Sequence, residues 1–222
     1  MTPEVWPRRD DIFLIGITGN IATGKSTIDA MLAAKGAAVL DSDGLVYELQ
    51  RPGQPVLERI VERFGREILT ESGELDRPRL GQLVFGNPEA LRGLELIVHP
   101  AVRAENKRRM LAAPAGSVLV WDAIKLYESG MADACNTVWA VTAPADQQFE
   151  RLQRSRGMAT ETAWQRIRAQ PPQEEKAARA DFVIDNGGSL DDTQRQVDAA
   201  WRQTAEVWLA GRTPTPYTPN LA

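Results

Sequence analysis

Histidine and cysteine are almost missing from this chain of 222 residues, where His99 and Cys135 stand alone. One thiol cannot close an internal disulfide, and without a Cys/His cluster at ligand spacing neither a zinc module nor a disulfide scaffold can form. Such a composition suits a reducing cytoplasm. The stretch from Met1 to Asp11 carries Trp6, Arg8, Arg9, Asp10 and Asp11 ahead of a short apolar run. It is too brief and wrongly flanked for a signal peptide or a membrane span. An excess of one charge is lacking too: 26 Lys and Arg against 30 Asp and Glu give a net charge of −4. No field of that size gathers nucleic acid or an anionic membrane, so any anion must be captured locally. Long Gly, Ser or charge runs, internal repeats and heptad arrays are absent as well, which excludes solenoids and coiled coils. What remains is 43% apolar residues, enough for one substantial core in an unprocessed protein with neither nucleic acid nor membrane as partner.

The apolar runs set out the architecture. Residues 12–18 form a continuous apolar stretch, a glycine-rich turn follows, and residues 28–35 resume with helical character, which predicts strand, loop and helix in direct succession. Residues 37–40 predict a second buried strand ending at Asp41, and 45–64 a helix interrupted near Pro52 and Gly53. From 77 to 110 the positions Leu80, Leu83, Val84, Leu91, Leu94, Ile97 and Val98 recur near helical spacing. Breaks are expected there at Asn87-Pro88 and His99-Pro100. Short strands are predicted at 117–121, 137–141 and 182–184, a short helix near 126–134, and a closing helix over 190–209. Trp201 and Trp208 on that helix read as core. The tail after Gly211, rich in Pro and Thr, is expected to be mobile. Strands alternating with helices argue for parallel crossovers, hence a three-layer α/β/α sandwich with a mainly parallel sheet.

The turn itself carries the chemistry. Gly19-Asn20-Ile21-Ala22-Thr23-Gly24-Lys25-Ser26 has the spacing of a phosphate-binding loop, with a strand before it and a helix after it. Glycines at both ends let the backbone wrap closely, and the amides together with the helix N-terminus attract phosphate oxygens. Lys25 reaches for the β- and γ-phosphates, Ser26 offers its hydroxyl to Mg²⁺, and Thr27 either caps the helix or touches the α-phosphate. Nucleotide binding alone does not separate a transferase from a switch. A guanine-reading Asn-Lys-x-Asp is missing, since Asn106-Lys107 is followed by Arg108 and Arg109. The short chain and the arginine-rich segment over 151–179 favour a kinase with a lid.

Further residues narrow the class. These are Gly16-Ile17-Thr18-Gly19, Asp41-Ser42-Asp43, Arg77 with Leu80, Val84-Phe85, His99-Pro100, Arg166-Ile167 with Ala169-Gln170, Lys176, and Ala180 through Asn186. Together they resemble the dephospho-coenzyme A kinase family, and the match spans most of the chain. The resemblance implies one P-loop kinase domain over residues 1–222, with a helical acceptor-binding lobe at about 44–112 and a lid at about 148–170. It implies ATP and Mg²⁺ as co-substrate and cofactor. The activity it implies is transfer of the γ-phosphate to the ribose 3′-hydroxyl of dephospho-coenzyme A, the last step of coenzyme A synthesis. Asp43 matches the family's base, and Asp41 lies on the same side if the chain stays extended. The two then divide hydroxyl orientation and the magnesium shell between them, and capping of the next helix is the plainer alternative for both. Arg77 and His99 match positions near the acceptor, where a solvated arginine and a helix-ending His-Pro are the alternatives. Asn186 matches a position near the ATP base, or serves a turn.

Two departures stand out. The position at which family members carry a lid arginine falls on Ser155, so Arg154 is the first candidate for contact with the transferring phosphoryl group and Arg156 the second. Gly157 beside them is a candidate hinge. In Asp122-Ala123-Ile124-Lys125-Leu126-Tyr127-Glu128 the residues Ile124 and Lys125 replace the family's usual pair. Lys125 reads as a solvent-facing tether or as a charge toward the acceptor. Two rival readings are a P-loop kinase for another acceptor, such as a nucleoside monophosphate or small metabolite, and a nucleotide-controlled binding protein that performs no transfer.

Overall fold

The run Phe13–Gly19 forms a strand, β1, buried along its whole length. Its two faces serve different layers. Phe13, Ile15 and Ile17 face a core shared with Ile28, Met31, Leu32, Val197 and Trp201. On the other face, a Cβ at Gly16 would come within 2.8 Å of Cys135 Sγ and of Leu126, so only glycine lets that layer close down. The computed structural model describes residues 6–220. Of the amino-terminal stretch read above, residues 1–5 lie outside the described residues, as do 221 and 222 of the tail.

After β1 come α1 (Lys25–Ala33), β2 (Ala38–Asp41), α2 (Ser42–Leu49), α3 (Pro55–Phe64), α4 (Arg77–Val84) and α5 (Pro88–Ala112). The chain continues through β3 (Val118–Asp122), β4 (Thr137–Thr142), α6 (Ala145–Arg156), α7 (Thr160–Arg168), α8 (Gln173–Ala177), β5 (Phe182–Asp185), α9 (Leu190–Gln203) and α10 (Ala205–Leu209). Two units result. One contains the chain up to Leu40 together with Ala113–Pro219, the other Asp41–Ala112.

The first unit is built on the sheet, ordered β2-β3-β1-β4-β5. β1 lies parallel to both β3 and β4, pairing Ile17 with Asp122 and Ile15 with Thr137, and β4 lies parallel to β5. Helices α1, α9 and α10 cover one face, while α8 packs on β1 and β4. The chain leaves central β1 for one side of the sheet and later returns to the other. A crevice therefore opens at the carboxyl end of β1, where open α/β sheets bind ligands. The expected closing helix is two helices, because Thr204 adopts φ −125° and ψ −91° between α9 and α10. The tail is also less free than expected. Thr215 N–H donates to the Gly116 carbonyl at 3.2 Å, and Ser117 Oγ donates to the Thr215 carbonyl at 3.1 Å.

The second unit is helical. Leu45, Leu49, Val56, Leu57, Ile60, Ile68, Leu75, Leu80, Ile97 and Val98 form its core, and α5 packs against α2, α3 and α4. The break expected at His99-Pro100 does not occur, since α5 runs through Pro100. The ring removes one helical hydrogen bond, but the carbonyl that loses its donor belongs to Leu96 on the exposed side, while Ile97 and Val98 hold the helix to its core.

Candidate functional site

The loop between β1 and α1 is shaped by two left-handed residues, Ala22 at φ 58° and Gly24 at φ 95°. Its carbonyls face outward onto fixed donors. Arg151 Nη1 donates to the Thr23 carbonyl at 2.8 Å and to the Ala22 carbonyl at 3.2 Å, and Asn186 Nδ2 donates to the Thr23 carbonyl at 2.8 Å. In a trans peptide, C=O and N–H point opposite ways. The Gly24 N–H is thereby directed away from Arg151 and Asn186, toward the concave side. Crowding fixes residue identity. A Cβ on Gly24 would sit 2.1 Å from Asn186 Nδ2, and one on Gly19 would sit 2.5 Å from the Val141 carbonyl.

Helix α1 opens at this loop with Gly24 as its N-cap, no capping side chain and no acidic residue in its first turn. Its free amides and dipole are left for an external anion. Lys25 stands at the same end, its side chain 10% exposed, and Ser26 is exposed. Lys25 Nζ lies 3.6 Å from Asp122 Oδ1 at the end of β3. Among the described residues no group of three or more His, Cys, Asp or Glu is placed to hold a metal. A hydroxyl and one buried carboxylate beside a phosphate loop fit a hard cation that arrives with its nucleotide and keeps several waters.

Helices α6 and α7 are fastened to the loop. Ile21 is buried with Leu152 and Ala163, and Phe149, Met158 and Ile167 pack around them. Phe149 and Trp164 stack with ring centroids 4.8 Å apart. Ile21 N–H donates to Gln170 Oε1 at 2.7 Å, and Asn20 Nδ2 to the Pro171 carbonyl at 2.8 Å. Thr23 Oγ1 donates to the Asn20 carbonyl at 3.0 Å, and Thr27 N–H bonds the Gly24 carbonyl at 2.9 Å. Gly157, at φ 56°, is the left-handed cap that ends α6. Arg154 is 81% exposed on α6, 3.7 Å from Glu150. Ser155 Oγ donates to the Arg151 carbonyl at 2.6 Å. The alternative Arg156 has its side chain outside the described residues.

Asn186 is buried, its amide nitrogen on Thr23 and its oxygen accepting from Thr193 Oγ1 at 3.0 Å. Three residues of this unit had no role assigned from sequence. Arg151 bonds acceptors 128 and 35 residues away in the chain, so no local pattern marks it. Gln170 was visible as part of the family resemblance. Asp122 follows an apolar strand run, the same signal that marks Asp41.

In the helical unit Asp41 caps α2, its Oδ1 accepting from Gly44 N–H at 2.8 Å. Extended geometry ends there, and Asp43 stands exposed in the first turn of α2. The strand geometry on which a shared direction of the two carboxylates was conditional does not continue to Asp43, since the chain is helical from Ser42. Arg77 opens α4, its guanidinium 4.4 Å from the Tyr47 ring and 3.3 Å from Gln50 Oε1. His99 is an exposed residue within α5. Lys125 is exposed after β3.

A protein-family model described as dephospho-CoA kinase matches residues 13–192. The dephospho-CoA kinase of Symbiobacterium thermophilum is 49% identical over 191 residues, covering 85% of this chain and 80% of its own. That of Carboxydothermus hydrogenoformans is 39% identical, covering 83% and 90%. The solved structure of TT1252 from Thermus thermophilus, 36% identical, superposes with a TM-score of 0.71 over 86% of this chain and 97% of that one. With the phosphate loop intact within the matched span, the chain belongs to the dephospho-CoA kinase family.

Proposed function

We propose that the chain transfers the γ-phosphate of ATP to the ribose 3′-hydroxyl of dephospho-coenzyme A, giving coenzyme A and ADP. The observation that carries this reading is the braced phosphate loop with Lys25 at its lip, in a chain of this family. Residues 20–27 take the nucleotide's phosphates through backbone amides, and Lys25 leaves Asp122 to neutralise the β- and γ-oxygens. Ser26 and Asp122 would hold Mg²⁺, which would supply positive charge to offset that of the phosphate oxygens. Asn186 shapes the nucleotide end of the site through its hold on Thr23.

Within a single kinase domain, the helical unit serves the acceptor. Arg77 and His99 contact it, Asp41 holds the turn that presents Asp43, and Asp43 accepts the hydroxyl proton as the new O–P bond forms and the β–γ bridge breaks. Arg154, on the lid of α6 and α7, reaches the transferring group, and the lid keeps water from intercepting it. The same reading assigns the enzyme to the cytoplasm, and a chain whose lone thiol is Cys135 supports that assignment. No described helix is long and apolar enough to cross a membrane. Asp43→Asn separates transfer from binding: turnover is expected to fall by about a hundredfold or more while ATP binding, read by calorimetry, is retained. Turnover equal to that of the parent removes Asp43 as base.

A further inference from the structure

Helix α2 starts where β2 stops, with no linker, so its first turn lacks the preceding turn that would hold it by backbone bonds. Its buried face includes Ser42 and Leu45, and Asp43 projects from the exposed side. Ser42 Oγ accepts a hydrogen bond from Asn106 Nδ2 of α5 at 2.9 Å, with Ser42 7% and Asn106 1% exposed. At the far end of α2, Glu48 Oε2 accepts from Arg109 Nη2 at 2.6 Å, one helical turn along from Asn106. The helix is thus gripped by α5 at both ends, and the grip next to Asp43 is an amide.

Stability alone does not account for that amide. Asn106 Oδ1 is buried with no hydrogen-bond partner among the described residues, a cost that an apolar side chain of the same size avoids. What the amide supplies is a directional hold on the residue preceding Asp43. We propose that Asn106 is a positioning residue for the transfer step, acting through Ser42 to fix the rotation of the first turn of α2 and with it the Asp43 carboxylate. The proposal rests on Asp43 as the base. A base must be held close to its productive geometry to serve, whereas substrate affinity tolerates more slack.

The test is steady-state kinetics of Asn106→Leu, Ser42→Ala and the double variant with ATP and dephospho-coenzyme A, with thermal melts and Asp43→Asn measured alongside. The expected result is a kcat about tenfold lower in each single variant, KM for both substrates within about twofold of the parent, and a double variant no worse than either single one. Melting is expected to be unchanged or raised in Asn106→Leu, and Ser42→Thr, which keeps the hydroxyl, recovers much of the turnover lost in Ser42→Ala. Unchanged kcat in both single variants, or losses that add in the double, overturns the positioning role. So does a loss that appears in KM or tracks a lowered melting temperature. If Asp43→Asn is itself fully active, the base assignment falls and the positioning role with it; if only Asp43→Asn is impaired, the positioning role alone falls.

Discussion

Thr23 shows how one backbone group organises the nucleotide loop. Its carbonyl accepts from both Arg151 and Asn186. Arg151 Nη2 also donates to the Asn186 carbonyl at 2.7 Å and to Gln147 Oε1 at 3.1 Å, so the brace is itself braced. A planar guanidinium reaches four acceptors at once in a way that no other side chain reproduces. Arg151→Met leaves the two loop carbonyls to Asn186 and water. The expected outcome is a KM for ATP raised by about tenfold with little change in KM for the acceptor, measured by initial rates. Unchanged KM for ATP counts against the brace. The phosphate loop was legible in the sequence because its spacing is local. Arg151 was not, because a carbonyl acceptor leaves no side-chain signature and the two loop carbonyls it holds lie more than a hundred residues away. Asp41 and Asp43 were legible as a pair but not as to direction, because the strand gives way to a helix between them.

Among the elements, α5 carries the most. It packs on three other helices, and its inner face combines Ile97 and Val98 with the buried Glu105, Asn106 and Arg109. Glu105 receives hydrogen bonds from Arg108 at 2.7 Å and from Arg109 Nε at 2.8 Å. The Arg108 bond, with a further contribution from Arg109, holds its carboxyl below the ordinary value of 4.5 against the opposing effect of burial. A carboxylate with a lowered folded-state pKa stabilises fully above its unfolded value and loses that contribution as pH falls through the folded one. Glu105→Gln is therefore expected to lower stability to denaturant at neutral pH, with the gap to the parent closing below about pH 4.5 as both reach the uncharged form. A gap that persists unchanged into acid rules out an ionic role. The sequence marked α5 as helical through its apolar spacing, but it placed a break at Pro100. That rule of local propensity was overridden because the lost backbone bond faces solvent while the flanking apolar residues are locked in the core.

At the scale of the whole molecule, the sheet unit and the helical unit each have their own core, and a net charge of −4 leaves phosphate capture to the loop and helix α1. The parallel sheet was legible from the alternation of apolar runs, since β1 pairs with β3 and β4 through the crossovers that parallel strands require, whereas the strand order was not. Nor was the path of the tail, because Thr215 docks on Gly116 by backbone bonds that any sequence could make. The acceptor was legible only through family landmarks scattered from Gly16 to Asn186. The most direct measurement is ADP release by the purified chain with ATP and Mg²⁺, comparing dephospho-coenzyme A with AMP, GMP, adenosine and no acceptor, with products identified by mass. The account predicts ADP formation only with dephospho-coenzyme A, and coenzyme A as its product; transfer to another acceptor instead, or nucleotide binding with no transfer to any of them, would contradict it.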